Sequence, residues 1–206
     1  MEKAIYGKNK KPSGITPAIA LVNPKYPRNV GTALRAASCF GIKQLWFSGN
    51  RVSLTPSPGY RLPREERMRG YRDVELRHFE YFFDEFPNAT PVAVELRPNA
   101  ESLTLFEHPE NPLYVFGPED GSLSKVNLQL CHRFVVIPTR HCVNLAAAVY
   151  LVLYDRQLKR QLSGKEEILP DRKSTRLNIQ KIHFTFLDQK MGAFQKFIFN
   201  CVIVLW

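Results

Sequence analysis

Five short apolar runs alternate along this chain with longer segments in which apolar residues recur every three or four positions. The runs cover residues 18–22, 44–47, 91–94, 113–116 and 134–137, and continuous apolar runs of this length are typical of buried parallel strands. Strands that alternate with helical segments indicate βαβ units. The pattern therefore predicts an α/β fold with a mostly parallel sheet and helices on both of its faces.

Two of the predicted helices are well defined by the pattern. The first follows the run at residues 18–22, where Asn29 is a suitable N-cap and Arg35 lies within two turns of the helix start. Its buried face consists of apolar residues at helical spacing, namely Val30, Ala33, Leu34, Ala37 and Phe40. The second helix covers about residues 144–160 and begins at Asn144. It is apolar enough to be buried against the sheet, a second subunit or both.

The runs that end at residues 22, 116 and 137 are each followed by a polar loop. Open α/β sheets bind ligands at loops that leave the carboxyl ends of neighbouring parallel strands, so these loops are the predicted active site. Each loop also has a purely structural interpretation. Asn29 is a simple cap or a functional amide, and Glu119 belongs to an ordinary turn or orients a ligand. Cys142 is a packing residue or a nucleophile with His141 as its base, and the residues alone favour packing.

Charge and composition narrow the choice of partner. Among 206 residues, 29 Lys and Arg outnumber 19 Asp and Glu, and the formal net charge of +10 favours an anionic partner such as nucleic acid. Four cysteines without a CxxC pair and an N-terminus without an apolar core predict a reduced, cytoplasmic setting, and we expect no metal site.

We interpret residues 1–16 as a mobile basic arm and residues 17–162 as the catalytic domain. The tail at residues 163–206 is an edge strand, an interface segment or a segment without function.

Three segments, taken together, resemble the ordered motifs of the SpoU-type RNA 2′-O-ribose methyltransferases of the SPOUT superfamily. The segments are Asn29-x-Gly31-x-x-x-Arg35, Phe116-Gly117-Pro118-Glu119-x-x-Ser122-Leu123, and the stretch from Ile137-Pro138 to Asn144-Leu145. The resemblance implies S-adenosylmethionine as methyl donor, a homodimer and a C-terminal trefoil knot. It also implies methyl transfer to a ribose 2′-hydroxyl of RNA, and we expect tRNA rather than rRNA because no separate RNA-binding domain precedes the catalytic one.

By motif position, the resemblance assigns catalysis to Arg35, which acts on the 2′-hydroxyl with support from Asn29, Glu119 and Asn144. It assigns donor binding to residues around the loops, namely Val94, Glu95, Phe116, Gly117, Gly121, Ile137, Cys142 and Leu145. The sequence departs from the family where Cys142 replaces a usual serine, and the third motif is about three residues shorter. Because a thiol is a weaker hydrogen-bond partner than a hydroxyl, a noncatalytic RNA-binding protein with the same fold stays an alternative.

An arginine-rich segment at residues 60–72 is a predicted RNA contact, with Tyr60 and Tyr71 as stacking faces for bases. The predicted RNA-binding residues are Arg28, Arg61, Arg64, Arg67 and Arg69. The alternative is a solvated helix face on which neighbouring glutamates offset the arginines. A nicotinamide-dependent oxidoreductase is disfavoured because no GxGxxG follows the first predicted strand.

Overall fold

The computed structural model describes residues 3–6, 14, 16–52 and 73–166 of the chain. Its strands, in chain order, are β1 (Lys3–Tyr6), β2 (Ala18–Leu21), β3 (Gln44–Phe47), β4 (Glu75–His78), β5 (Thr90–Val94), β6 (Glu101–Ser102), β7 (Pro112–Phe116) and β8 (Arg133–Val136). Its α-helices are α1 (Pro27–Cys39), α2 (Lys125–Gln129) and α3 (Leu145–Leu162), and a 3-10 helix spans Phe82–Glu85.

The strands form one sheet in the order β1-β4-β3-β2-β7-β5-β8-β6. Every neighbouring pair is parallel except β1 and β4, which run antiparallel. This arrangement confirms the predicted α/β fold with a mostly parallel sheet. The order places β7 between β2 and β5, and Phe116 at the end of β7 pairs with both Leu21 and Val94. The loops that follow these three strands therefore leave the sheet at the same level.

Helices cover both faces of the sheet, as predicted. On one face, α1 and α3 pack against each other and against inward-pointing residues such as Ile19 and Tyr114. On the opposite face, the 3-10 helix and α2 contact the sheet through Phe82 and Leu128. Because successive side chains of a strand point to opposite faces, a sheet covered on both sides requires apolar residues at every position. This requirement explains the continuous apolar runs.

All five predicted strands are present, and their bounds differ from the prediction by one residue at most. The pattern missed β4, whose sequence Glu-Leu-Arg-His alternates polar and apolar residues although Arg77 is only 3% exposed. It also missed β1, so the expectation of a mobile arm is wrong for Lys3–Tyr6, which pair with β4. This pairing satisfies backbone groups of β4 that would otherwise lie at a sheet edge. Lysines, glycines and prolines around the short apolar stretch concealed the strand in the sequence.

The starts of the two long helices differ in how well the sequence predicted them. The prediction that Asn29 is the N-cap of α1 is wrong, because the helix begins at Pro27 and Tyr26 is its N-cap. Proline suits the first helical position because its fixed backbone angle is helical and it has no N–H left unpaired there. The prediction that Asn144 caps α3 is confirmed, since its Oδ1 accepts the N–H groups of Ala146 and Ala147 at 2.9 and 3.3 Å.

The chain divides into a first unit, Met1–Ser163, and a second, Gly164–Trp206. The strands and helices above belong to the first unit. Residues 167–206 lie outside the described residues, and the interpretation of the tail stays a prediction. No helix in the described part of the chain is both long enough and apolar enough to cross a lipid bilayer.

Candidate active site

A cavity of about 470 Å³ opens at the carboxyl ends of β5, β7 and β8. All eight predicted donor-binding residues line it, which places the loops after these three strands around one space. The lining also includes residues to which the sequence analysis gave no donor-binding role, namely Leu96, Pro118, Val136, Thr139, Arg140, His141, Val143 and Ala148. That these residues bind a methyl donor stays a prediction, but the structure brings them together.

The cavity wall at Gly117 is built by a close approach between two loops. The backbone N–H of Leu123 donates to Glu95 Oε2 at 3.0 Å, which folds the loop after β7 over the end of β5. A Cβ atom at position 117 would lie 3.3 Å from the Leu123 nitrogen and 3.4 Å from Glu95 Oε2. A side chain there would crowd the hydrogen bond between Leu123 and Glu95, so this position favours glycine.

Glu119 holds the loop after β2 against the cavity. Its Oε2 accepts the backbone N–H of Lys25 at 2.7 Å, while its Oε1 accepts the N–H of Tyr26 at 3.2 Å and Asn29 Nδ2 at 2.6 Å. Burial is the largest single influence on this carboxyl and raises its pKa, but the hydrogen bonds from Asn29, Lys25 and Tyr26 together outweigh burial. The net result is a pKa below the ordinary value, so Glu119 is a carboxylate at neutral pH.

Asn29 joins the second and third motifs. It is 6% exposed, and its Oδ1 accepts Asn144 Nδ2 at 3.0 Å while its own Nδ2 donates to Glu119. The three side chains therefore form a continuous chain of hydrogen bonds from the cavity wall to the start of α3. The sequence placed these residues in three separate loops, and the sheet order brings them together.

Arg35 lies further along α1 and is half-buried, and it is not among the residues that line the cavity. It follows Asn29 by six positions, which is roughly 9 Å along a helix axis. Its charge acts on Tyr150 of α3, whose pKa is nevertheless raised, chiefly by burial. Arg28, in the first turn of α1, is exposed. The other predicted RNA-binding arginines, Arg61, Arg64, Arg67 and Arg69, lie outside the described residues.

A cluster of charges that the sequence did not single out lies beside Glu119. Asp120 accepts both terminal nitrogens of Arg51, each at 2.8 Å, and the ammonium of Lys25 lies 3.1 Å from Asp120 Oδ2. Hydrogen bonds from Arg51, and then from Lys25, hold the pKa of the Asp120 carboxyl far below its ordinary range. Local spacing carries no signal for this pair, because Arg51 follows β3 and Asp120 follows β7, and only the sheet order shows that both strands neighbour β2.

The cysteines differ sharply in their surroundings. Cys142 is exposed and lines the cavity, so the interpretation of Cys142 as a packing residue is wrong. Cys131 is buried beneath the sheet, and its burial raises the pKa of the thiol to about 12. Among the described residues, no three His, Cys, Asp or Glu side chains are grouped so that they could hold a metal ion.

The fold and the cavity define an α/β protein that binds a ligand at the carboxyl edge of a parallel sheet. The SpoU rRNA Methylase family matches residues 17–154, which is more than half of the chain. The chain belongs to this family.

Individual relatives agree with this assignment. The chain is 29% identical over 161 residues to the tRNA (cytidine-2′-O-)-methyltransferase TrmJ of Methanocaldococcus jannaschii, covering 69% of this chain and 68% of the relative. A solved structure that concerns the 2-OH methylation of C/U34 on tRNA is 26% identical, covers 71% of this chain and 96% of its own, and has a TM-score of 0.55.

A further solved structure is similar in fold. The SpoU methyltransferase AviRb from Streptomyces viridochromogenes, in complex with the cofactor AdoMet, has a TM-score of 0.57 at 18% identity. The similarity covers 70% of this chain, which spans 57% of the length of AviRb.

Proposed function

We propose that this protein transfers a methyl group from S-adenosylmethionine to the 2′-hydroxyl of a ribose in tRNA. One observation carries the proposal. Glu119 both lines the cavity and accepts the Asn29 amide, which in turn accepts Asn144. These three residues come one from each of the three motifs of the methyltransferase family, so hydrogen bonds connect all three motifs to the cavity.

The residues around the cavity suit this donor. Its volume of about 470 Å³ lies within the range of small-molecule sites. Apolar side chains such as Leu96, Ile137 and Leu145 offer a wall for the adenine ring, while backbone groups near Gly117 and the exposed Arg140 offer polar partners for the amino acid end. Bound there, the donor supplies an electrophilic methyl group. AviRb, whose fold is similar, was solved with AdoMet, which supports the same ligand here.

In this proposal Arg35 acts on the acceptor side. A guanidinium has a pKa above about 12 and is a poor general base, so its physically easier role is to position the 2′-hydroxyl and stabilise negative charge on its oxygen. The hydrogen bonds from Glu119 through Asn29 to Asn144 fix the first turn of the helix that carries Arg35. A fixed helix supports the precise alignment that methyl transfer needs.

Several features support tRNA as the acceptor. The relatives include a tRNA 2′-O-methyltransferase, TrmJ, and a protein whose structure concerns methylation of tRNA. The formal net charge of +10 attracts phosphates, and Arg28 is exposed in the first turn of α1. The proposal includes RNA contacts by Arg61, Arg64, Arg67 and Arg69, for which the support is their charge.

Three further features belong to the proposal. Exposed apolar residues of α3, Leu151 at 40% and Tyr154 at 55%, support a homodimer that covers this helix. Membership in the SpoU family supports a knotted C-terminal region, which the resemblance of the motifs implies. The unpaired thiols of Cys39, Cys131 and Cys142 support a cytoplasmic setting.

The test is a transfer assay with the full chain, S-adenosylmethionine labelled at its methyl group, and separate fractions of unmodified tRNA and rRNA. Digestion to nucleosides and mass spectrometry locate the label. We expect a 2′-O-methylated nucleoside from the tRNA fraction. Label on a base or in rRNA alone would contradict the proposal, as would donor binding without transfer, the result expected of a noncatalytic RNA-binding protein.

A further inference from the structure

We propose that Asp120 and Arg51 are positioning residues for the methyl transfer, acting through an ion pair that fixes the loop between β2 and α1 against the cavity. The inference rests on the proposed function and deepens it. It assigns a task to two side chains that the three motifs leave unspecified.

The geometry of the pair is specific. Arg51 donates from its two terminal nitrogens to the two oxygens of Asp120, each at 2.8 Å, so the guanidinium and the carboxylate meet side by side. Two parallel hydrogen bonds fix orientation as well as distance, which a single contact does not. The hydrogen bond to Asp120 is the main cause of the raised pKa of the Arg51 guanidinium, and the nearby Glu119 charge makes a smaller contribution in the same direction.

The sheet order shows what this pair encloses. β2 lies between β3 and β7, Arg51 follows β3, and Asp120 follows β7. A bond between Arg51 and Asp120 therefore reaches across the carboxyl end of β2, where the loop to α1 leaves the sheet. The start of this loop also bonds to both neighbouring strand ends, since the N–H of Val22 donates to the Phe116 carbonyl at 2.8 Å and the N–H of Asn23 donates to the Ser48 carbonyl at 3.1 Å.

Lys25, within that loop, makes two separate contacts with the loop after β7. Its backbone N–H donates to Glu119 Oε2 at 2.7 Å, and its ammonium lies 3.1 Å from Asp120 Oδ2. The adjacent acids Glu119 and Asp120 thus hold the same residue by its main chain and by its side chain. The helix α1 begins at Pro27, two residues after Lys25, and carries Arg35. The two contacts of Lys25 therefore determine where Arg35 lies relative to the cavity.

The exposure of the pair separates a positioning role from a structural one. The side chains of Arg51 and Asp120 are 27% and 45% exposed, and exposed ion pairs contribute little to folding stability. A matched control exists in Arg133 and Glu101, which are 35% and 46% exposed and pair at 2.7 Å on β8 and β6. We expect loss of the first pair to slow methyl transfer without unfolding the protein.

The experiment compares Asp120→Asn, Arg51→Gln and the double variant with Glu101→Gln. The readouts are the single-turnover rate at saturating donor and tRNA, the donor dissociation constant, and the melting temperature. We expect each single variant to lower the rate about tenfold or more, since misplacement of a reacting group by about 1 Å costs roughly a hundredfold. Because the two residues act as a unit, the double variant should lose no more than the worse single variant.

A merely structural role predicts a different result. The inference is overturned if Asp120→Asn keeps the wild-type rate, or if its rate falls only in step with donor affinity or melting temperature. Additive losses in the double variant, or an equal loss in Glu101→Gln, also overturn it. A wild-type protein that transfers no methyl group refutes instead the proposed function, so the two failures are distinguishable.

Discussion

Asn29 and Asn144, which are 115 positions apart in the sequence, share a hydrogen bond of 3.0 Å between their side-chain amides. Asn29 lies in the first turn of α1, and Asn144 is the N-cap of α3. The bond therefore fixes the starts of two helices that pack together. Asn29 also donates to Glu119, which lines the cavity, so a substitution at either asparagine should alter the position of Glu119 in the cavity wall.

The two tasks of Asn144 can be separated by substitution. Asn144→Asp keeps an oxygen that caps α3, but a carboxylate cannot donate to Asn29 Oδ1. We expect its melting temperature to fall only by the loss of the hydrogen bond to the buried Asn29 oxygen, while methyl transfer falls about tenfold. Asn144→Ala loses both tasks and should also lose about 1 kcal/mol of stability. Thermal unfolding and single-turnover transfer measure the two effects, and full activity in Asn144→Asp would show that the amide bond has no role.

The Glu119 carboxylate makes the stability of the protein depend on pH in the acid range. Its pKa is lowered in the folded protein from the ordinary 4.5, because hydrogen bonds outweigh the opposing effect of burial. A lowered folded pKa means that the contribution of the carboxylate is complete above the pKa of the unfolded chain. The contribution is lost as the pH falls through the folded value.

Urea unfolding between about pH 6 and pH 3 tests this dependence. We expect the free energy of unfolding to fall more steeply for the wild type than for Glu119→Gln, whose amide does not titrate. Parallel curves for the wild type and Glu119→Gln would contradict the lowered pKa.

The parts of the fold that the sequence predicted share a physical basis. Parallel strands covered on both faces must be apolar throughout, so the five buried strands appear as uninterrupted runs. β4 does not follow this rule, because Arg77 is buried with its charge paired to Glu75. Strand β6 has only two residues, which is too few to show a pattern of apolar and polar positions.

The candidate site was predictable only in part. Loops after apolar runs indicated which edge of the sheet carries the site, and the eight residues that the family resemblance predicted to bind the donor line one cavity there. The hydrogen bonds from Asn29 to Glu119 and Asn144 depend on sheet order, which places β7 between β2 and β5 and is not contained in local spacing. The pair of Arg51 and Asp120 depends on the same sheet order, so local spacing does not predict it although both residues follow predicted strands.

Gly117 should be sensitive to the smallest added side chain. Gly117→Ala places a methyl group 3.3 Å from the Leu123 nitrogen and 3.4 Å from Glu95 Oε2, so these neighbours must shift by a few tenths of an ångström. We expect the donor dissociation constant to rise about tenfold. Gly121→Ala should have a smaller effect, because its added carbon meets only Pro118 Cγ at 3.6 Å. Calorimetric titration compares them, and equal affinities would argue against a close-packed wall at Gly117.

Substitution of Arg35 should affect methyl transfer to the RNA and not the binding of the methyl donor. Arg35→Ala should abolish methyl transfer, because the guanidinium positions the acceptor hydroxyl. Donor affinity should change little, because Arg35 does not line the cavity. Arg35→Lys keeps the charge but not the planar fork, and it should retain a small part of the activity. Transfer rates and donor titration with the same preparations measure both effects. Undiminished transfer by Arg35→Ala would remove this residue from the reaction.

The most direct measurement of the central claim is calorimetric titration of the full chain with S-adenosylmethionine, repeated with Gly121→Trp. The tryptophan adds a bulky side chain at the exposed wall of the cavity, where the surroundings of Gly121 are open. The account predicts one donor bound per chain in the wild type and greatly weakened binding in the variant, with unchanged melting temperature. No binding to the wild type, or equal binding to both proteins, would contradict it.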